Sequence, residues 1–255
     1  MLLGVWCKLL IMMTRSYWKL LWLLLLVVPL LACQQAEPEP ELSPEMIVAE
    51  TAVRLGELSG FHFVMETSGP AAYLDATGTL ALRRLEGDFV GPDRVRAVVR
   101  VAVPGLVTEV RVIGIGDQQW QTNVLTGAWE PLPPSDGLNP ANLFNEATGL
   151  PAVLAQDLSE ISLVGSETVD GVVLEVITAV VTPQRLASMS SNLIAAQPTD
   201  EPITVRLWVE PESYRLYRLL LTEPLPETAE PRIWQVDFSQ FDQTVTIEPP
   251  LPPES

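Results

Sequence analysis

Few side chains in this chain could do covalent chemistry. There is one histidine, His62, set between Phe61 and Phe63. A Ser–His–acid or Cys–His device would have to be built on that single imidazole. Ser166 lies in Gly165-Ser166-Glu167, which lacks the Gly-x-Ser-x-Gly turn that exposes a nucleophilic serine. No glycine-rich loop suited to phosphate is present, and no acidic loop follows the calcium-hand spacing. Acid pairs such as Asp200-Glu201 are expected by chance among 32 acids. His62 therefore reads as a structural or surface residue. The chain reads as non-enzymatic, with no catalytic residues, no metal and no cofactor.

The remaining reactive group is a thiol. Cys7 and Cys33 are the two cysteines. Arg15 and Lys19 precede an apolar run, Leu20 to Ala32, that ends in Leu30-Leu31-Ala32-Cys33. A helix over that run reaches about 20 Å, short of the ~30 Å hydrocarbon core. A positive flank, a short apolar stretch and a small residue before the cut are the grammar of an export signal, assigned here to residues 1–32. The last four residues of the run resemble the lipobox of bacterial lipoproteins. That resemblance implies a diacylglyceryl group on the Cys33 thiol and an acylated amine, palmitate being one such acyl group. Cleavage before Cys33 removes Cys7, so no internal disulfide can form and the core alone must hold the fold.

Residues 33–44 contain Gln-Gln-Ala-Glu-Pro-Glu-Pro-Glu after the cysteine and read as a solvated tether. Residues 249–255, Pro-Pro-Leu-Pro-Pro-Glu-Ser, read as a disordered tail. Between them, residues 45–248 form one domain. From Cys33 onward there are 12 arginines, no lysine and all 32 acids, a formal charge of −20. Such a chain repels phosphate backbones, which excludes nucleic acid as a partner. It also lacks a basic patch for anionic headgroups.

The elements of the domain follow from periodicity. Ser43-Pro44 before Met46, Ile47, Val53 and Leu58 predicts an amphipathic helix over 45–58. Strands are predicted over 61–66, 79–84, 94–103, 106–116, 118–122, 161–169, 172–181, 203–209, 214–222, 233–238 and 245–247. Asp170-Gly171 is the favoured two-residue turn of a hairpin. Helices are predicted over 141–158 and 183–196, the second opening on a proline. The fold class is α+β: a strongly curved antiparallel sheet, a half-barrel of about 10–11 strands, wrapped around about three helices.

The order of features resembles the LppX/LprA/LprF/LprG lipoprotein family, whose fold is LolA/LolB-like. The residues that carry the likeness run through the domain. They include Ser59-Gly60-Phe61-His62-Phe63, Gly116-Asp117-Gln118-Gln119-Trp120 and Leu138-Asn139-Pro140 with Leu143-Phe144. Gly165 to Gly171, Leu207-Trp208-Val209-Glu210 and Val236 to Phe241 continue it. The resemblance implies a hydrophobic pocket that carries acylated lipid or glycolipid within the cell envelope. It also implies a lipid-anchored position on the outer face of the cytoplasmic membrane and a membrane lipid exporter as partner.

Residues expected to face the cavity are Leu80, Leu82, Val99, Val101, Val110, Val112, Leu174, Val176, Val205 and Leu207. Two readings of such positions stay open: packed core, or the lining of a void that a ligand fills. A lipid-sized void would not stay empty, because cavity cost grows by ~24 cal/mol per Å3. The first reading makes the protein a structural or interaction lipoprotein with a filled core; the second makes it a lipid carrier.

Overall fold

The computed structural model describes residues 43–75, 77–133, 139–195, 199–226 and 230–250. The residues read above as an export signal (1–32), Cys33, most of the segment read as a tether (34–42) and most of the segment read as a tail (251–255) lie outside them. The described residues form one compact unit.

Helix α1 spans Pro44–Glu57. The Ser43 hydroxyl accepts the Met46 N–H at 3.3 Å, and proline at the first helical position needs no partner. Ile47, Val48, Thr51, Ala52 and Leu55 make its buried stripe, while Met46 and Val53 are exposed.

Among the described residues, twelve strands form one antiparallel sheet. They are β1 (Gly60–Ser68), β2 (Ala72–Tyr73), β3 (Ala81–Val90), β4 (Arg94–Val103), β5 (Leu106–Ile115), β6 (Gln118–Thr122) and β7 (Trp129–Pro131). The second half has β8 (Ser159–Val169), β9 (Val172–Val181), β10 (Ile203–Val209), β11 (Leu216–Glu223) and β12 (Arg232–Ser239). The order is β7-β6-β5-β4-β3-β1-β12-β11-β10-β9-β8, with β2 beside β3. The first and last strands of the chain therefore pair at the middle of the sheet, and β7 and β8 are its unjoined edges. Strands β2 and β7 add to the predicted set, since two or three residues show no period. The strand expected at 245–247 is absent: β1 and β12 already have partners on both sides, leaving no edge there. Ile247 is instead buried, and its carbonyl accepts from Arg94 at 2.9 Å.

One face of the sheet is a ladder of ion pairs. Arg84 bridges Glu66 and Glu86, Arg96 meets Asp88 at 2.9 Å, and Arg100 meets Glu109 at 2.8 Å. The other face is apolar. Phe61, Phe63, Met65, Leu85, Phe89, Val95, Leu207, Trp234 and Val236 join the helices in one core cluster that takes in both wings of the sheet. At the β8–β9 turn, Asp170 (φ 50°) and Gly171 (φ 84°) both take the left-handed backbone, as the tight hairpin requires.

The helices are shorter than their periods suggest. The helix expected over 141–158 is broken into a 3-10 turn, Pro140–Phe144, and α2, Leu150–Gln156. Asn145 breaks it by accepting the N–H groups of Ala147 and Thr148 on its side chain. The helix expected over 183–196 stops as α3, Pro183–Met189. There the Ser190 hydroxyl donates to the Leu186 carbonyl and accepts the Ile194 N–H, and Ser191 and Asn192 turn left-handed.

Candidate functional site

The helical layer lies over the middle of the sheet. Phe144, from the 3-10 turn, sits among Phe61, Phe63, Phe89 and Phe238 at centroid distances of 4.9–6.2 Å. Such edge-to-face contacts add to area burial. Asn139 fixes this turn to β5: its Nδ2 donates to the Gly116 carbonyl at 2.9 Å and its Oδ1 accepts the Ala141 N–H. Only glycine fits at position 114, because a Cβ there would stand 2.5 Å from the Asn139 Oδ1.

Beside the phenylalanines a hollow of about 30 Å3 remains. Its sheet side is Met65 of β1, Leu219 and Leu221 of β11, and Trp234, Val236 and Phe238 of β12. Its roof is Leu143, Phe144, Leu150, Met189 and Ile194. All lining side chains are apolar or aromatic, so nothing there would hold water in place. The space takes about two water-sized groups, not an acyl chain. An empty hollow this small costs about 0.7 kcal/mol, well within what a domain tolerates. At this hollow, sheet and helices close on each other.

The upper end of the hollow is tied by a buried charge pair. Glu223 accepts from Arg232 at 3.2 Å, from the Trp234 indole at 2.8 Å and from the Ala195 N–H at 3.1 Å. Arg232 also donates to the carbonyls of Pro70 and Ala71. One carboxylate thus joins the hollow wall (Trp234), the end of the roof (Ala195) and the β1–β2 loop. Every polar group in it has a partner, which a buried pair needs.

The ten residues expected to face the cavity divide. Leu82, Val205 and Leu207 are in the main core cluster, and Val101 and Val112 are buried. Val99 and Val110 sit on the inner face of β4 and β5 but are only half-buried. Leu80 is half-buried just before β3, outside the ladder. Leu174 and Val176 are on the opposite face, in a second cluster with Trp208, whose indole donates to Glu167 at 2.8 Å. Strand β9 is apolar on both faces, and Ile177, Ala179 and Val181 are the ones that point inward. None of the ten lines the hollow. Its walls come from β1, β11 and β12 because the chain's ends meet at the sheet centre, under the helices.

His62 lies on the outer, charged face. Its Nδ1 is 2.9 Å from the Asp88 carboxylate and its Nε2 is 3.6 Å from Glu86. Burial raises the Asp88 carboxyl, but hydrogen bonds from His62 and Arg96 outweigh this and hold it below the ordinary carboxylate range. These are the contacts of a surface ion-pair ladder. Among the described residues there is no group of three or more His, Cys, Asp or Glu placed to hold a metal ion, and no helix long and apolar enough to cross a membrane.

The fold has counterparts among solved structures. LprF from Mycobacterium bovis superposes with a TM-score of 0.64 at 14% identity, covering 81% of this chain and 96% of that one. LppX from Mycobacterium tuberculosis gives 0.56 at 14% identity, covering 80% and 98%. No curated protein sequence matches. At such identity the likeness establishes the fold. The family model for the LppX_LprAFG lipoproteins matches residues 43–247, from the cap of α1 to the buried Ile247, and on that match the chain belongs to the LppX_LprAFG lipoprotein family.

Proposed function

We propose that this lipoprotein is lipid-anchored through Cys33 on the outer face of the cytoplasmic membrane. There it takes the acyl part of a lipid or glycolipid between sheet and helices and carries it within the envelope without enzymatic turnover. In the structure the roof rests on the sheet over this space. The observation that supports this best is the wholly apolar hollow beneath a roof of short segments. The roof consists of a five-residue 3-10 turn and two seven-residue helices. Helices that short have little stability of their own. They rest on the sheet mostly through side chains, and two of the lining residues, Met65 and Met189, are unbranched and adapt to new shapes. The half-buried Val99 and Val110 extend the apolar surface along the inner face of the β4–β5 wing. Lifting the roof would join the hollow to that wing, and the acyl chain would cover the apolar surface that the roof uncovers. A membrane lipid exporter is the partner that such a carrier would serve.

The small size of the hollow favours a second reading: a non-enzymatic structural or interaction lipoprotein with a filled core. Mass spectrometry of solvent extracts separates the two. The mature chain carrying Cys33→Ser, purified from an envelope-containing host, should yield close to one acyl lipid per chain. No lipid in the extract, and no uptake of added palmitate, would leave the filled-core reading.

A further inference from the structure

The two ends of the sheet differ in chemistry. At one end every tight connection carries an acid: Asp93 between β3 and β4, Asp117 between β5 and β6, and Asp170 between β8 and β9. Glu210 and Glu212 between β10 and β11, and Asp242 after β12, complete the set. At the other end, three hairpin tips of the β2–β7 half are nearly free of charge. Val101 to Thr108 and Thr122 to Ala128 contain no charged residue. The β2–β3 tip has one, Asp75, whose carboxylate is taken up by the Thr77 and Thr79 hydroxyls and the Thr79 and Leu80 N–H groups. The other half of the same end does carry acids, among them Glu160, Asp200 and Glu201, so the neutral stretch is confined to these three tips.

These tips also hold exposed apolar side chains. Leu125 is 95% exposed, Val107 58%, Leu106 57% and Val124 52%. Tyr73 and Leu74 add to them on the neighbouring hairpin. Soluble surfaces rarely gather such residues without use for them. The pairing of β4 with β5 gives the tip a second property. Val99 faces Val110, Val101 faces Thr108 and Val103 faces Leu106, so the inner face continues without a break to the tip. Burial falls along it, from Val112 at 8% exposed, through half-buried Val110, to Leu106.

We propose that these three tips dock the domain on the lipid bilayer, with Leu106 and Leu125 as the main inserting residues, and that the Val112–Leu106 track leads an acyl chain inward. The neutral tips can enter the headgroup layer, whereas the acidic tips at the opposite end are repelled by anionic lipid and face away. The chain outside the described residues agrees with this occupant. Ten residues lie between Cys33 and Pro44, and the eleven Cα steps reach about 35 Å when extended, similar to the ~33 Å length of a ten-residue strand. A domain tethered at Cys33 can therefore turn this end to the bilayer. The purpose of docking rests on the carrier reading; the docking itself is tested apart from it.

The test is sedimentation of the mature Cys33→Ser chain with phosphatidylcholine vesicles. We expect a vesicle-bound fraction, at least tenfold weaker partitioning in the Leu106→Asp/Leu125→Asp double variant, and several-fold weaker partitioning in Leu125→Ser. Leu125→Ser cannot disturb the core, since that side chain is almost fully exposed. Val173→Asp, at an apolar position about as exposed as Leu106 but at the acidic end of the sheet, should change partitioning less than twofold. Adding phosphatidylglycerol should not strengthen binding. Absence of vesicle binding, an equal loss in Val173→Asp, or binding driven by phosphatidylglycerol would overturn the docking proposal. A chain that fails here but still yields extractable lipid leaves the carrier reading intact, and the reverse pair of results leaves docking intact.

Discussion

Adding one methylene to the hollow should stabilise the unloaded protein. Val236 is buried at 4% exposure and stands between Met65 and Leu219 in the strand register, all three facing the empty space. Val236→Ile keeps the β-branch that suits a strand and places its extra carbon where no atom now sits. A buried methylene is worth about 0.8 kcal/mol by transfer. Removing a 30 Å3 void is worth about 0.7 kcal/mol, which is the same gain counted from the cavity side. The expected stabilisation is thus about 0.8 kcal/mol, or roughly 2–3 °C in Tm for a domain of this size. Urea unfolding and calorimetry of the lipid-free chain measure it. If the sheet and roof were fully packed, the extra carbon would force side chains off their rotamers and cost ~1–3 kcal/mol. A fall in Tm of that order would refute the reasoning.

Glu223→Ala should destabilise by about 3–5 kcal/mol in urea unfolding, because it strands a buried guanidinium together with the Trp234 and Ala195 N–H groups. Val110→Trp should lower the lipid recovered from the purified chain while circular dichroism and Tm stay near the parent, since Val110 is only half-buried. His62→Ala should leave lipid recovery unchanged and shift stability by less than about 1 kcal/mol, as expected of a surface ion-pair position. The depressed Asp88 carboxyl contributes stability that is complete above its unfolded value, ~3.9, and is lost as pH falls through the lower folded value. Asp88→Asn should therefore flatten the acid limb of the stability–pH curve below about pH 4, with little change in its slope near neutrality.

How much of the fold is legible in the sequence depends on how one-sided each segment is. Arg94–Val103 alternates arginine against valine or alanine along most of its length, and both its bounds and its inner face follow from that. Asp170-Gly171 announces its turn by chemistry alone. Strand β9 is apolar on both faces, so period two cannot say which face is inward, and the expectation for Leu174 and Val176 falls on the wrong one. The helix over 141–158 fails for another reason. Leu143, Phe144, Leu150, Val153 and Leu154 are all buried as their spacing suggests, but Asn145 captures backbone donors and splits the segment without changing the apolar pattern. The hollow is beyond local reading. Met65, Leu219, Leu221 and Trp234 come together because β1 pairs with β12, a pairing across most of the chain that no short-range period encodes. Glu223 and Arg232 give no sign of being buried partners, since each is one charge among many until β11 and β12 pair.

Entry of an acyl chain between roof and sheet is the central step of the proposed function, and brominated palmitate offers the most direct measurement of it. Trp234 lines the hollow and is fully buried, whereas Trp208 lies on the opposite face of the sheet. Bromine on the chain quenches an indole it touches. Titrating the delipidated Cys33→Ser chain should give saturable quenching that Trp208→Phe retains and Trp234→Phe abolishes. Quenching absent in the parent, or removed by Trp208→Phe and kept by Trp234→Phe, would contradict acyl-chain entry at this place.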